Sequence, residues 1–362
     1  MSNTALFRNG VIHGASLLKI VLFAFVLTPN LYLEYVSHIA YAQLFAAVAG
    51  LGYIECMSRD YVREKVFYFN YFIVPTSIIV LMTTVFIFTY FETGYNFILL
   101  GAYTFAILCY QSLQRLARAF LGLDAFYEHL VLKISFDLVL IFWLLINGFD
   151  DIFQILFLEA IFLTAVSVLV WWRISTFSVA IVRQELTILI GRSKFFYMTA
   201  VLSNISGNIF RFTVGLAEFQ PSKDVTAKLP FLDISIQLVR NLNAFLFTQW
   251  FGGSPKVIRG LLINATIFVL SAVIFGVLYG EIVTVFVIAS ILSGLFVSHL
   301  TYLIEYYRME YAQTISILSS LIAMFIYVSI AKTGDPLMVT FVTTVSAYVC
   351  YLIFYVSHWG KR

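Results

Sequence analysis

The sequence predicts an all-α membrane protein with about twelve transmembrane helices in two six-helix lobes and both termini in the cytoplasm. Three observations support this prediction. The 362 residues are 61% hydrophobic and only 11% charged, whereas a soluble globular chain has about 25% charged residues. Apolar runs of roughly 20 residues, enough to cross a hydrocarbon core of about 30 Å, follow one another with short connections. Lys and Arg gather in alternate connections, as cytoplasmic loops require.

The apolar runs between polar connections predict the individual spans. The first six cover residues 11–33, 37–57, 66–90, 95–121, 130–146 and 152–172. The last six cover residues 195–216, 229–250, 257–279, 282–303, 311–331 and 337–356. The predicted lobes are therefore residues 1–172 and 195–362, with a linker at 173–194 between them.

The distribution of basic residues sets the predicted orientation. With the N-terminus inside, sixteen Lys and Arg residues fall in the inner segments and three in the outer ones. Basic residues concentrate on the cytoplasmic side of membrane proteins. A miscounted helix would invert this bias in every later loop, so the pattern favours twelve spans in a multi-pass plasma (inner) membrane protein of a bacterium.

The linker at 173–194 has the pattern of an amphipathic helix. Apolar residues recur there at helical spacing, with Arg183 and Glu185 between them. Such a helix would lie on the cytoplasmic leaflet and connect the two lobes. The apolar positions are Phe177, Ile181, Val182, Leu186 and Leu189.

Several classes of function lack their signatures in this sequence. The net charge is only +3 and no long basic tract occurs, which argues against a nucleic-acid partner. Cys56, Cys109 and Cys350 are far apart and form no C-x-x-C pair, so neither a metal nor a cofactor is expected. No nucleophile elbow, zinc-protease motif or phosphate-binding loop is visible. The sequence therefore predicts a protein that is not an enzyme.

Arg240 is the strongest candidate substrate-binding residue. It lies near the middle of the eighth predicted span, and an ionisable group there costs about 2.5 to 3.5 kcal/mol on insertion scales. Gln237 and Asn241 fall on the same helical face. Asp233, also on that face, is a candidate for proton coupling. The alternative is a structural network in which Asp233 or a neighbouring acid neutralises Arg240.

Arg211, Asn208 and Lys19 are the other candidate substrate ligands. Arg211 and Asn208 share a face of the seventh predicted span with Asn204, and an arginine fork suits a phosphate or an acidic sugar. Lys19 in the first span could line the same space from the other lobe. In the alternative interpretation both basic side chains extend along the bilayer to its surface.

Two embedded acids, Glu159 and Asp137, are the candidate proton-coupling residues of the first half. A carboxyl deprived of water favours its protonated form, which suits a proton carrier. Asp137 has Lys133 four residues before it, so a local ion pair is its simpler explanation. Glu159 has no such neighbour, and its alternative is a hydrated position near the outer end of its span.

The chain resembles the multidrug/oligosaccharidyl-lipid/polysaccharide (MOP) exporter superfamily, and within it the Wzx-type polysaccharide and O-antigen flippases. The stretch YAQLFAAVAGLGYIECMSRDYVRE at 41–64 is similar to the family's second helix. NISGNIFRFTVGLAEF at 204–219 is similar to the start of its second lobe. The layout of six plus six spans covers the whole chain. The chain is shorter than usual for the family, and Asn208 stands where an acid often precedes the arginine.

The resemblance implies alternating access, in which a polyprenyl-diphosphate oligosaccharide binds between two lobes and is flipped across the membrane for surface polysaccharide biosynthesis. The implied partners are this lipid-linked substrate, the bilayer and other polysaccharide assembly proteins. Two alternatives stay open. One is a multidrug or cation exporter of the same superfamily, whose cavity should be acidic. The other is an integral membrane enzyme acting on lipid-linked sugars.

Overall fold

The structure is a computed structural model, and it describes about half of the chain. The described ranges are 18–53, 66–68, 70–89, 94–121, 123–148, 151–175, 180–182, 197–212, 310–331 and 336–359, without residues 20, 24, 51, 199, 203, 206, 207, 209 and 210. Seven long helices lie in these ranges: α1 Pro29–Gly50, α2 Asn70–Thr89, α3 Gly94–Leu121, α4 Leu123–Asn147, α5 Ile152–Ser175, α6 Glu310–Ala331 and α7 Pro336–Trp359. The predicted spans 229–250, 257–279 and 282–303 fall outside them.

Helix α1 corrects the predicted boundary between the first two spans. The sequence analysis placed a connection at residues 34–36, but the chain is helical from Pro29 to Gly50 and the break lies at residues 27–28. Thr28 caps the new helix: its Oγ1 accepts a hydrogen bond from the Leu31 N–H at 3.4 Å. A threonine followed by proline is a helix-start pattern, because proline needs no hydrogen-bond partner at the first helical position. The boundary at 34–36 was therefore wrong.

The connection between α4 and α5 shows how local chemistry ends one helix and starts the next. Gly148 follows α4 with a φ of 70°, a left-handed conformation that glycine adopts without steric cost. Its N–H donates to the Leu144 carbonyl at 3.0 Å. Asp151 then caps α5, since its Oδ1 accepts from the Phe153 N–H at 2.9 Å. These caps agree with the sequence prediction that span six begins at residue 152.

The described secondary structure is helical except for two three-residue strands, β1 Val66–Tyr68 and β2 Ala180–Val182. They pair in parallel, with Phe67 opposite Ile181. These two short strands leave the all-α class of the described residues unchanged. Strand β2 lies inside the amphipathic helix predicted at 173–194. Strand β1 lies at the start of the span predicted from residue 66. Both strands consist mainly of β-branched and aromatic residues, which favour extended backbone.

Four described helices are long and apolar enough to cross a membrane: Asn96–Gln114, Glu128–Asn147, Ile152–Arg173 and Thr314–Ala331. Large apolar side chains on these and neighbouring helices stay exposed, for example Ile330 at 77% and Trp172 at 69%. In a water-soluble protein such surfaces would promote aggregation, but against lipid they are stable. Multi-pass membrane insertion is thus supported by the described helices. The total of twelve spans and the cytoplasmic termini stay predictions.

The chain forms two compact units, Glu34–Asn204 and Met1–Leu33 together with Ile205–Arg362. In the first unit α3 packs extensively on α5 and also contacts α2 and α4. In the second unit α6 packs on α7. The first 33 residues thus group with the second half of the chain. The lobe boundaries 1–172 and 195–362 remain a prediction.

Helices α2 and α3 approach closely where α3 has a glycine. A Cβ built at Gly101 would overlap the Thr83 side chain of α2. Helix pairs in membranes rely on such small residues, because lipid offers no hydrophobic driving force and close packing must hold the helices together.

We expect Gly101→Leu to destabilise the protein by about 1–3 kcal/mol, because the new side chain must displace Thr83 and with it the neighbouring turn of α2. The measurement is thermal unfolding of the detergent-solubilised protein. Ala102→Leu is the matched control, since Ala102 is exposed on the same helix and its enlargement faces outward. Equal stability of the two variants would contradict the close α2–α3 contact.

Candidate functional site

Glu159 is a buried acid in the second turn of the membrane-spanning helix α5. Its side chain is only 3% exposed, which excludes the hydrated position considered as an alternative. Seven residues separate it from Ile152, so it lies about 10 Å along the helix. A carboxylate at this depth requires donors from the protein itself.

Two tyrosines from two other helices supply these donors. The Tyr35 hydroxyl on α1 donates to Glu159 Oε1 at 2.6 Å. The Tyr103 hydroxyl on α3 donates to Glu159 Oε2 at 2.8 Å. Both tyrosines are at most 5% exposed. We call Glu159, Tyr35 and Tyr103 the carboxylate cluster; it ties three helices of one compact unit to a single side chain.

Sequence reasoning named Glu159 as a candidate but named neither tyrosine. Tyr35 was assigned to the connection at 34–36, where a phenol has no reason to be buried. Reading Thr28-Pro29 as a helix start would have placed Tyr35 two turns into a helix. Tyr103 is one of 22 tyrosines, and it lies 56 residues from its partner. No local signal distinguishes it.

Asp137 is also buried, at 3% exposure, but its environment differs. Lys133 Nζ lies 2.7 Å from Asp137 Oδ2 on the same helix, α4, and the lysine side chain is 27% exposed. The predicted local ion pair is therefore present. Its charge is balanced by a neighbour one turn away, which makes Asp137 the weaker of the two proton-coupling candidates.

In the second compact unit Arg211 and Asn208 are both buried, at 8% and 6% exposure. The Phe212 N–H donates to the Asn208 carbonyl at 3.0 Å, as in one turn of helix. Asn204 uses its side-chain amide to donate to the Ala200 carbonyl at 2.8 Å. Substrate binding by Arg211 and Asn208 stays a prediction.

Lys19 is helical and half-buried. Its ammonium lies 5.4 Å from the centre of the Phe23 ring, one turn later. A cation above an aromatic face is stabilised by about 0.5–2 kcal/mol, depending on its hydration. This contact gives Lys19 a structural role beside its predicted role as a substrate ligand.

The remaining predicted site residues, Asp233, Gln237, Arg240 and Asn241, lie outside the described residues. Within the part of the chain that the structure describes, no group of three or more His, Cys, Asp or Glu side chains is arranged to hold a metal ion. Several buried hydroxyls there bond to a carbonyl of their own helix, such as Thr104 to Leu100 at 2.8 Å. This satisfies the hydroxyl locally, so these residues are not site candidates.

Comparison with known proteins identifies the architecture. No protein-family model and no curated protein sequence matches the chain. Among solved structures it is similar to a MATE transporter in complex with MaL6, with a TM-score of 0.52 at 12% identity, covering 99% of this chain and 97% of that chain. It is also similar to the eukaryotic MATE transporter AtDTX14, with a TM-score of 0.52 at 15% identity, covering 97% and 92%. The chain has a MATE-like fold.

The likeness to MATE transporters shows the fold alone, and the predicted membership of the MOP exporters stays a prediction. The likeness covers nearly the whole of each chain. At 12–15% identity it concerns architecture only. The prediction of a Wzx-type flippase is more specific than a likeness of fold can test.

The ion pair on α4 generates a stability prediction. Lys133→Met leaves the buried Asp137 carboxylate without its ammonium, so we expect a loss of about 1–3 kcal/mol, reduced from the cost of a fully buried pair because Lys133 is partly exposed. The double variant Lys133→Met, Asp137→Leu should recover most of this loss. Unfolding of all the variants in detergent gives the coupling energy. Purely additive effects would show that the pair contributes nothing to stability.

Proposed function

We propose that the protein is a proton-coupled exporter that works by alternating access, with Glu159 as the group that binds and releases the proton. The observation that carries this proposal is the carboxylate cluster: a buried acid inside a MATE-like fold whose two described hydrogen-bond partners are neutral phenols. The fold supports a transporter over an enzyme, and the apolar helices support a multi-pass membrane location. A bacterial inner membrane is part of the proposal.

A carboxylate that accepts hydrogen bonds from phenols suits this role better than one held by a lysine of its own helix. In an ion pair the opposite charge holds the acid in its charged form. In the carboxylate cluster that form is maintained by hydrogen bonds, while burial opposes it. A rearrangement that alters either hydrogen bond would then change how well the charged form is stabilised, as a transport cycle requires. Asp137, with Lys133 beside it, lacks this property.

Two observations point to different cargoes. The likeness to MATE transporters and the acidic character of the carboxylate cluster favour export of organic cations or drugs. Burial of Arg211 favours an anionic group, such as the diphosphate of a lipid-linked oligosaccharide, since arginine binds phosphate through a planar fork of donors. The cation exporter is the first candidate because the fold supports it. The flippase is the second, and its further partners would be polysaccharide assembly proteins.

Replacement of Glu159 by Gln tests the proton coupling. We expect proteoliposomes with Glu159→Gln to lose cargo accumulation driven by a pH gradient, because the amide does not titrate. Cargo binding at equilibrium should persist. Glu128→Gln is the control: Glu128 is 59% exposed and pairs with Arg173 at 2.6 Å, so its replacement should leave accumulation intact. Undiminished accumulation by Glu159→Gln would rule out Glu159 as the proton carrier.

Replacement of Arg211 by Gln separates the two cargoes. If Arg211 binds an anionic head group, host cells with Arg211→Gln lose surface polysaccharide and retain complete lipid-linked oligosaccharide on the cytoplasmic leaflet. If the cargo is a cation, surface polysaccharide is unchanged and resistance to cationic dyes is maintained or rises, because a repelling charge is gone. Arg173→Gln, a change at a half-exposed arginine, is the matched control and should affect neither.

A further inference from the structure

One end of the α4–α5 pair lies at the boundary of the apolar part of the membrane. The apolar stretch of α4 begins at Glu128 and that of α5 ends at Arg173, so polar groups here lie level with lipid head groups. Trp171 and Trp172 beside them are 43% and 69% exposed, and tryptophan is enriched at this depth because its ring is apolar while its N–H is polar. The distribution of Lys and Arg in the sequence predicts that this end faces the cytoplasm.

An exposed ion pair joins the two helices at this boundary. Arg173 Nη1 lies 2.6 Å from Glu128 Oε2, and the two side chains are 51% and 59% exposed. An ion pair this exposed contributes little to stability, because water and salt screen it. An anion that approaches along the membrane surface can therefore share Arg173 with Glu128 or replace the carboxylate.

His129, next to Glu128, is a buried polar side chain that lacks hydrogen bonds. It is 2% exposed, and within the described part of the chain neither Nδ1 nor Nε2 has a hydrogen-bond partner. In either tautomer one ring nitrogen is a donor that needs an acceptor, and burying it without one costs free energy. The charged groups that act electrostatically on this ring are Arg173 and Glu128. An acceptor that binds Arg173 would thus arrive close to a donor that lacks one.

Toward the membrane interior both helices expose apolar side chains. Leu132 and Leu169, each four residues from the ion pair, are 45% and 49% exposed. Four residues correspond to about 6 Å along a helix. A charged end followed directly by exposed apolar surface matches a phospholipid, with its head group and acyl chains, better than it matches a free phosphate ion.

We propose that this end of α4 and α5 binds an anionic phospholipid: Arg173 binds the phosphodiester, His129 donates to one of its oxygens, and the acyl chains lie along Leu132 and Leu169. We call these residues the head-group site. Basic sites between transmembrane helices on the cytoplasmic side suit anionic head groups. Glu128 opposes the ligand, because its carboxylate competes with the phosphodiester for Arg173. The binding changes no covalent bond.

The head-group site is independent of the proposed transport function. Arg173 is fourteen residues from Glu159 and so about 20 Å away along α5. Lys133, one turn further along α4, pairs with Asp137. We expect the bound lipid to stabilise the ends of α4 and α5 without taking part in proton coupling. The Glu128 and Arg173 variants therefore remain suitable transport controls in liposomes of one fixed lipid composition.

The first test measures lipid binding. Native mass spectrometry of the detergent-solubilised protein, titrated with phosphatidylglycerol or phosphatidylcholine, counts bound lipids and gives their affinities. We expect phosphatidylglycerol to bind more tightly, Arg173→Gln to weaken it about fivefold, and Glu128→Gln to tighten it because a competing carboxylate is gone. Lys19→Gln is the matched control for the loss of one positive charge, since Lys19 belongs to the other compact unit.

Two outcomes of this titration would contradict the head-group site. One is an equal affinity for phosphatidylglycerol in wild type, Arg173→Gln and Glu128→Gln. The other is displacement of phosphatidylglycerol by inorganic phosphate at the same concentration, which would identify a site for a free anion instead of a lipid.

The second test separates lipid binding by His129 from a purely structural role. His129→Phe keeps a ring and removes both nitrogens, so without lipid we expect it to unfold at the same or a higher temperature than wild type. With phosphatidylglycerol, wild type should gain more thermal stability than the variant. His38→Phe is the matched control: His38 Nδ1 already bonds the Glu34 carbonyl at 2.8 Å, so the gain from lipid should persist. An equal gain in wild type and His129→Phe would overturn the head-group site and leave the proton-coupled exporter standing, because neither test involves Glu159.

Discussion

The absence of water inside the membrane is the constraint on which this structure depends. A polar group there has to find its partner within the protein, because lipid offers none. The helical backbone satisfies itself in this way, and hydroxyls such as Thr104 and Ser167 bond to a carbonyl one turn before them. Such hydroxyls need no help from another helix. Charged side chains do, and the few that are buried determine which helices must stay together.

The two buried acids of the first compact unit meet this constraint in opposite ways. Asp137 pairs with Lys133 of its own helix, so this ion pair does not depend on the packing of other helices. Glu159 accepts hydrogen bonds from hydroxyls of α1 and α3, so these contacts depend on the packing of both helices against α5. An ion pair fixes a protonation state, whereas hydrogen bonds from neutral donors leave it dependent on geometry. This difference makes Glu159 the better candidate for a transport cycle.

The sequence predicted what depends on hydropathy and short spacing. The span predicted at 95–121 is observed as Gly94–Leu121, and the one at 152–172 as Ile152–Ser175. The Lys133–Asp137 ion pair was predicted because the two residues are four positions apart on one helix. The first boundary was misplaced because hydropathy alone does not register Thr28-Pro29, a capping signal that lies within an apolar run. Strand β2 was missed because Ile181 and Val182 fit a helical period as well as an extended one.

The carboxylate cluster could not be predicted for a different reason. Tyr35 and Glu159 are 124 residues apart, and their contact exists only because three helices pack together.

Conversely, the fold alone does not determine the cargo, because an architecture shared at 12–15% identity leaves almost every side chain free to differ. The buried charged residues are therefore the features from which the cargo has to be inferred. Glu159 in one unit and Arg211 in the other carry opposite signs, and each is costly to keep away from water. The acid accepts hydrogen bonds from two phenols and belongs to a residue type that can be protonated, whereas an arginine stays charged throughout a cycle. Glu159 is therefore suited to the coupling step, and Arg211 to a permanent electrostatic preference in whatever the protein transports.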